Sequence, residues 1–428
     1  MKRRRPVIND ENTLLVITSF PDNTRGTRDA RPVALHSKRI LTQLSKHQNI
    51  LVIAERTGRK ITHVENRKLM VQRIWKRRKP LSLLSIIPTL IKYNRIQKIL
   101  IHFDFDVFGG LKPLFFFPII LLLFKAMRKQ IYFEFHQISF EIQSLKRHND
   151  IDNTWIKRFL NLFLFVFYRW IGLLSDKVLV FEEDLKERLS RHMPVEKIIT
   201  LPVGVTPMKT VSQVRSKKKL GFSRNDFVVL VFGFFDWYKG TDWIAKTFGQ
   251  SRQKNIRLLL VGGKHPAFRK NKNYQSYYRQ VQKIAHESSR IKTVGFVPAH
   301  EIPLYFSAAD IITLPHREFL STSMTFSYAL GFQKPVILSN KLLDYMKSPD
   351  LLYSREQAGI EINDLFFSLN KADFELLLKK IKQDKTLYKK LVTFSHVLAK
   401  KRRADRLIRD YKTIVSRSYI LSPRFAFK

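Results

Sequence analysis

Short apolar runs alternate with longer segments of helical periodicity along this sequence, and the alternation begins a second time near its middle. Six runs of the first half have the character of buried strands: TLLVITSF, NILVIAE, KILIHFDFD, QIYFEFHQ, KVLVFEE and KIITLPVG. Five more follow in the second half: FVVLVFGF, IRLLLVGG, IKTVGFVP, DIITLP and KPVILS. Strands that alternate with helices form mainly parallel sheets. The sequence therefore predicts an α/β protein with two domains of similar design.

A stretch rich in proline, glycine and lysine separates the two sets of runs and has the composition of a linker. We place the domain boundary in it, near Val205. The predicted divisions are a basic N-terminal arm at 1–12, a first domain at 13–205, a second domain at 206–400, and a basic C-terminal helix and tail at 401–428. We expect the C-terminal helix to pack back on the first domain, with solvent exposure or contact with an anionic surface as alternatives.

Charge is far from balanced, since 78 lysines and arginines stand against 35 aspartates and glutamates, a formal net charge of +43. Such a surplus attracts polyanions, so the candidate partners are nucleic acid, anionic lipid headgroups and phosphorylated small molecules. The chain has no cysteine, which excludes disulfides and thiol chemistry and is typical of a reducing interior. We expect a cytoplasmic protein without a signal peptide, with peripheral attachment to the inner face of the membrane as an option.

Two segments, 114–124 and 159–174, are strongly apolar. A helix needs about 20 apolar residues to cross a bilayer, and these segments are too short or are interrupted by Asn161 and Arg169. The second segment is therefore either a buried helix of the domain or a helix that inserts partly into one leaflet. Basic neighbours such as Lys157 favour the second alternative.

The chemistry of the second half is expected at the carboxyl ends of its strands, where parallel sheets bind ligands. Gly233 ends one strand, and Lys239 and Gly240 stand just before a helix. A loop that brings an ammonium close to helical N–H groups suits a phosphate. After the next strand, Gly262 and Gly263 allow either close approach of the backbone to a ligand or a tight turn.

A third segment, LPHREFLSTSMTFSYALG, carries four hydroxyl side chains where a strand turns into a helix. They belong to Ser321, Thr322, Ser323 and Thr325. Capping of the helix would explain one of them. Because helical N–H groups and the helix dipole favour an anion at such a place, four hydroxyls together predict a phosphate-binding turn.

These segments resemble the donor-binding domain of the family 4 (group 1) glycosyltransferases, which have two facing Rossmann-like domains, the GT-B fold. The resemblance rests on FGFFDWYKG, LLLVGG and the run from VGFVPAHEIPLYF through LSTSMTFSYALGFQKPVILSN. It extends more weakly over the first half, where ITSFP, HFDFDVFGG, YFEFHQ and KIITLPVGV come in the expected order. The resemblance implies retaining transfer of a hexose from a UDP- or GDP-sugar to a glycan or lipid-linked acceptor, as in polysaccharide biosynthesis. It implies no required metal and no other cofactor.

The resemblance also assigns roles to individual residues. Lys239 would contact the donor phosphates, the backbone at Gly295 and Phe296 would hold the base, and the turn at 321–325 would cap the diphosphate. His136 matches a histidine that faces the reacting sugar and acceptor. The alternative for His136 is an ordinary histidine at the end of a strand.

Some positions depart from the family pattern. The arginine that accompanies the phosphate lysine would fall near Phe234, where none stands, so Arg317 is the alternative. Glu318 matches the first of two family glutamates, but the second position holds Phe326. The glycine-rich loop after the first strand is reduced to Gly26, which we assign to the acceptor side.

The Asp-x-Asp spacing of Asp104 and Asp106 is used by another glycosyltransferase fold to hold a divalent metal. The doubled architecture and the basic donor loop argue against that use, so no metal site is predicted. We assign Asp106, Gly109 and Gly110 instead to the acceptor side of the crevice.

Two other functions stay open. A non-catalytic protein that binds nucleic acid or another anionic surface would fit the charge, but the basic residues are scattered through both domains, which argues against nucleic acid as a partner. A sugar-nucleotide epimerase would keep the fold and change the reaction. Affinity for a nucleotide sugar separates the first alternative from an enzyme, and analysis of the product separates the second.

Overall fold

The structure is a computed structural model that describes residues 9–22, 32–57, 61–77, 79–139, 153–251, 253, 255–268 and 270–416. The strands of the first half are β1 (Leu14–Ile17), β2 (Ile50–Glu55), β3 (Thr62–Asn66), β4 (Leu69–Trp75), β5 (Lys98–Phe103), β6 (Gln130–Phe135), β7 (Lys177–Val180) and β8 (Ile198–Thr200). Its helices are α1 (Pro32–Leu44), α2 (Ile86–Lys92), α3 (Phe105–Phe108), α4 (Phe117–Ala126), α5 (Thr154–Leu174) and α6 (Glu183–Ser190).

The second half repeats the alternation. Its strands are β9 (Phe227–Phe232), β10 (Ile256–Val261), β11 (Ile291–Val294), β12 (Ile311–Leu314), β13 (Val336–Ser339) and β14 (Phe366–Phe367). Its helices are α7 (Gln213–Lys219), α8 (Thr241–Gly249), α9 (Lys272–Glu287), α10 (Ile302–Ala308), α11 (Met324–Gly331), α12 (Pro349–Ala358), α13 (Ile362–Leu365), α14 (Lys371–Gln383), α15 (Lys385–Lys401) and α16 (Ala404–Ser416).

The first sheet has the strand order β3-β4-β2-β1-β5-β6-β7-β8. All neighbours pair in parallel except β3 and β4, which form an antiparallel hairpin at one edge. Successive residues of β1 point to opposite faces of the sheet, and both faces are covered: Leu15 and Ile17 join one core cluster, Leu14 and Val16 the other. A strand buried on both faces is apolar throughout, which is why its sequence is a continuous apolar run.

The second sheet is parallel throughout, with the order β11-β10-β9-β12-β13-β14. The chain moves outward from β9 through β10 to β11 and then returns to the other side of β9 as β12. The loops that follow the neighbouring strands β9 and β12 therefore lie side by side at the carboxyl edge, and open parallel sheets bind ligands at the point where the strand order reverses. Both predicted phosphate loops leave the sheet at this point.

The chain crosses back to the first domain after α15. Val205 donates its N–H to Arg402 O at 2.7 Å, and Ala404 donates to Val205 O at 2.9 Å. Helix α16 then buries Ile408 and Tyr411 in a core cluster of the first sheet. The prediction that the C-terminal helix packs on the first domain is confirmed; residues 417–428 lie outside the described part of the chain.

The two strongly apolar segments do not form membrane spans. The segment 114–124 is divided between a 3-10 turn at Lys112–Phe116 and α4, and the segment 159–174 lies within α5. Within the described ranges, no helix combines the length and the apolar character that crossing a bilayer requires.

Candidate functional site

Backbone packs directly on backbone at the carboxyl ends of β9, β10 and β11. Gly262 has a φ of +140°, and a Cβ added there would lie 2.1 Å from Gly233 O. A Cβ on Gly263, with a φ of +69°, would lie 3.2 Å from Gly295 Cα. Only glycine allows these conformations and approaches together. The structure thus brings the four predicted glycines into one row along the sheet edge.

Lys239 and Thr325 converge above this row. A Cβ placed on Gly233 would lie 2.9 Å from Lys239 Nζ and 3.7 Å from Thr325 Oγ1. The hydroxyl of Thr325 donates to Phe232 O at 2.8 Å, which fixes its position. An ammonium and a helix N-terminus therefore stand at one point of the sheet edge, although they come from loops nearly ninety residues apart.

The loop that carries Lys239 is held against the loop after β12. Gly240 has a φ of +68°, and a Cβ there would lie 1.9 Å from Pro315 O. Arg317 donates to both carboxylate oxygens of Asp242, at 2.7 and 2.8 Å, and to Trp237 O at 2.6 Å. The predicted Arg317 thus lies in the site but uses its guanidinium to brace the lysine loop. Glu318 is half-buried on the same loop.

Two contacts hold the hydroxyl-rich turn, residues 321–325: one lies within the second domain and one reaches the first domain. Ser323 occupies the N-cap position of α11, but its side chain makes no capping hydrogen bond, so capping does not account for this hydroxyl. Its N–H donates instead to the Tyr345 hydroxyl at 3.0 Å. Thr322 donates to Glu182 Oε1 at 3.4 Å, across to the first domain. Ser321 is half-buried beside them.

The carboxyl ends of the two sheets face each other. Glu182 follows β7, whereas Thr322 follows β12, and these two side chains touch. Nearby, Arg188 of α6 donates to Phe319 O at 2.8 Å. The predicted crevice therefore has the strand ends of both domains as its walls.

A buried glutamate gathers three histidines at the end of β6. Glu134 Oε1 lies 2.9 Å from His136 Nε2, 3.1 Å from His36 Nε2 and 3.7 Å from His102 Nε2. The donor atoms of His36, Glu134 and His136 lie within 4.8 Å of one another, a spacing and ligand set that could hold a transition metal. The sequence analysis selected His136 and missed its neighbours. The Glu-x-His spacing was the available signal, because residues two apart on a strand share a face.

The deepest of these histidines is neutral. His102 is fully buried, with Nδ1 2.8 Å from the Ser37 hydroxyl and Nε2 3.1 Å from the Tyr411 hydroxyl of α16. Burial lowers the pKa of His102 to about 3, and burial also lowers the pKa of His36. The C-terminal helix therefore reaches the histidine cluster through a hydrogen bond between neutral groups.

Acidification should consequently lower the free energy of unfolding. His102 titrates near 6.5 when unfolded and near 3 when folded, so its contribution is intact above pH 6.5 and is lost as the pH falls below it. The loss should reach about 2 kcal/mol between pH 6.5 and 5, at about 1.4 kcal/mol per pH unit. Urea unfolding at both pH values measures it. His102→Gln should reduce the dependence, the exposed control His300→Gln should keep it, and equal slopes in all three proteins would contradict the assignment.

The residues after β5 that we assigned to the acceptor side lie in a short helix and the turn that ends it, rather than on a strand. The predicted strand KILIHFDFD ends at Phe103, because Asp104 caps α3 and accepts a hydrogen bond from Asp106 N at 2.7 Å. Asp106 pairs with Arg77 at 2.8 Å. Gly109 and Gly110 follow with φ values of +90° and +111°. Gly26 lies outside the described residues.

Comparison with known proteins agrees with this geometry. Residues 226–353, which include β9 to β13 and both phosphate loops, match the family Glycosyl transferases group 1. The predicted resemblance to group 1 glycosyltransferases is therefore confirmed, and it supports sugar transfer as the activity. No curated protein matches the chain.

Solved structures extend the match over both domains. Sucrose-phosphate synthase of Thermosynechococcus elongatus aligns with 94% of this chain and 98% of its own at 14% identity, with a TM-score of 0.71. HepE of Anabaena, solved with UDP-glucose, aligns with 94% and 99% at 13% identity and a TM-score of 0.66. A UDP-forming trehalose-phosphate synthase of Burkholderia xenovorans aligns with 95% and 99% at 8% identity and a TM-score of 0.61. The predicted fold of two Rossmann-like domains is confirmed.

Proposed function

We propose that the protein is a retaining, family 4-like glycosyltransferase that moves a hexose from a UDP- or GDP-sugar to a glycan or lipid-linked acceptor in the cytoplasm. The observation that carries the proposal is the convergence of Lys239 Nζ and Thr325 Oγ1 at Gly233. This point lies at the carboxyl edge of the second sheet, between the strands where its order reverses, and within the segment that matches the glycosyltransferase family.

The donor diphosphate would lie at this point. Bond cleavage at the sugar leaves charge on the diphosphate, and a fixed ammonium with helical N–H groups stabilises charge that develops there. Lys239 would supply the ammonium, while Ser321 and Ser323 at the start of α11 would supply hydroxyls. Because Arg317 already holds Asp242, its part is to position the lysine loop.

The base would lie beside Gly295 and Phe296. Phe296 is 41% exposed, and its ring stacks with that of Phe234 at 6.4 Å between centroids. Phe234 stands where the family arginine is missing. An aromatic pair at this place offers the base a flat apolar surface instead of a second cation.

The acceptor side would be the first domain, with His136 toward the reacting sugar and Glu318 toward it from the second domain. We propose that transfer needs no metal, since the lysine and the helix N-terminus already oppose the diphosphate charge. Because His36, Glu134 and His136 could hold a metal ion, chelation tests this proposal. We expect full activity after exhaustive chelation. Activity that is restored only by an added divalent ion would contradict the proposal.

Thermal stabilisation by nucleotides tests the proposal directly, because a ligand that binds only the folded state raises the melting temperature. We expect a shift with UDP or GDP and with one nucleotide sugar, and a smaller shift with the corresponding monophosphate. No shift with any of them, together with salt-sensitive binding of RNA or DNA, would favour the nucleic-acid alternative. Conversion of the nucleotide sugar to its epimer without an acceptor would favour the epimerase.

A further inference from the structure

An apolar surface on α4 and α5 is exposed on the first domain. Eleven of the 26 large apolar side chains that are exposed in the described ranges fall between residues 115 and 173. The most exposed of them is Trp155 at 76%, and Phe159 and Leu162 reach 59% and 60%. We call this surface, together with Ile119 and Leu122 of α4, the apolar face. Soluble proteins rarely leave so large an apolar patch uncovered unless it binds something.

The two helices form one continuous surface. The Phe115 ring, just before α4, lies 4.1 Å from the Phe163 ring and stacks 6.4 Å from the Phe159 ring, both on α5. Along α5, residues 155, 159, 162, 166 and 173 follow a helical stripe that is exposed, while 164, 167, 168, 171 and 174 are buried against the sheet. Helix α5 is therefore apolar on two opposite sides, although one side alone would complete the core.

The charges around the apolar face identify its partner. Neither 111–130 nor 154–174 contains an acidic residue, whereas both contain lysines and arginines. Arg158 lies over the Trp155 ring at 5.6 Å, and Arg169 lies over the Phe165 ring at 4.5 Å. Aromatic rings with cations beside them are the combination found at the interface of a bilayer with water. A cationic rim around an apolar centre complements anionic headgroups over acyl chains.

We propose that the apolar face inserts into one leaflet of an anionic membrane and that it orients the crevice toward the acceptor there. Helix α5 ends two residues before β7 begins, and β7 runs parallel to β6. The start of α5 must therefore lie toward the carboxyl ends of β6 and β7, which is the edge at which His136 follows β6. Trp155 and Phe159 thus mark the membrane-facing border of the crevice. The choice of a lipid-linked acceptor rests on the proposed function, whereas membrane binding itself does not.

Sedimentation with vesicles tests this surface. We expect the full chain to bind vesicles of three parts phosphatidylcholine to one part phosphatidylglycerol at physiological salt, and to bind pure phosphatidylcholine at least tenfold less. Trp155→Ser with Phe159→Ser should lower binding to the anionic vesicles by at least tenfold. Leu352→Ser with Leu376→Ser, at exposed positions of the second domain, is the matched control and should bind like the unmodified protein.

The outcomes separate this proposal from the proposed function. All variants should keep the nucleotide-induced thermal shift, since none lies in the donor site. A normal thermal shift without vesicle binding would overturn the membrane proposal alone, and vesicle binding without any thermal shift would overturn the proposed function alone. Equal binding to both vesicle types would overturn the anionic assignment. A stable dimer that the Trp155→Ser, Phe159→Ser protein no longer forms would assign the face to a second copy of the chain instead.

Discussion

Replacing Arg402 by methionine is expected to lower the free energy of unfolding by about 3–5 kcal/mol, because it leaves the buried carboxylate of Glu182 and the half-buried carboxylate of Asp350 without their partner. Arg402 is 2% exposed and donates to both oxygens of Glu182, at 2.7 and 2.8 Å, and to both oxygens of Asp350, at 2.7 and 3.1 Å. Burial opposes the charge on Arg402, but the two carboxylates outweigh it and raise the pKa of the guanidinium. Burial raises the pKa of Glu182, so acid, which protonates the carboxylate, rather than alkali is expected to break the pair.

The position of this cluster explains why its loss should be felt so widely. Glu182 stands in the first domain before α6, Asp350 lies in α12 of the second, and Arg402 ends α15 where the chain returns to the first. Ser348 and Thr322 add hydrogen bonds to the same glutamate, at 3.1 and 3.4 Å. The Arg402 guanidinium thus fixes the point at which the chain returns to the first domain and, through Glu182, the turn that precedes α11.

Chemical denaturation followed by tryptophan fluorescence measures the effect. The matched control is Arg403→Met, whose exposed pair with Asp405 should contribute little to stability. Adding Glu182→Leu to Arg402→Met should recover part of the loss, since it removes one of the stranded charges. If the two arginine variants lost equal stability, the cluster would not hold the domains.

The sheets were predictable to the extent that their strands are buried on both faces. Every predicted run contains a strand, whereas the hairpin of β3 and β4 was missed. In β3, THVEN, only one residue is apolar, and in β4, LMVQRIW, burial alternates but polarity does not, since Arg73 is buried and Ile74 is only partly buried. The two residues of β14 are too few to form a periodic signal. The prediction for β5 ran three residues too far because Asp104 and Asp106, which belong to a helix cap, stand next to phenylalanines.

Residues of the candidate site could be predicted where they depend on local backbone conformation. They could not be predicted where they depend on contacts between residues far apart in the sequence. Glycines at strand ends and a lysine before a helix are local features, so Gly233 and Lys239 could be selected from the sequence. The partners Glu182 and Arg402 are 220 residues apart, and nothing local to either indicates the other. Thr322 was selected for a phosphate, although its observed contact is with Glu182. Which hydroxyls of one turn face a ligand depends on tertiary contacts.

Lys239→Ala is expected to lower the rate of sugar transfer, as kcat/KM, by about 100- to 1,000-fold, the usual effect of removing one group that stabilises transition-state charge. The same variant should lose most of the thermal shift with nucleoside diphosphates and keep its own melting temperature. Among the residues that the structure describes, the Lys239 side chain makes no hydrogen bond within the loop, whose turn is held by Gly240 against Pro315 O and by Arg317 with Asp242. Calorimetric titration with UDP or GDP measures the affinity separately from the rate.

A second lysine makes the measurement specific. Lys246 is exposed on α8, the helix that the same loop opens, and Lys246→Ala removes an equal charge two turns away. A general attraction between a cationic protein and an anionic nucleotide would be weakened equally by both substitutions and would decline steeply with salt. If the phosphate binds between Lys239 and the start of α11, Lys239→Ala alone should weaken nucleotide binding. Unchanged affinity and rate in Lys239→Ala would remove this lysine from the site and leave the diphosphate to the helix N-terminus.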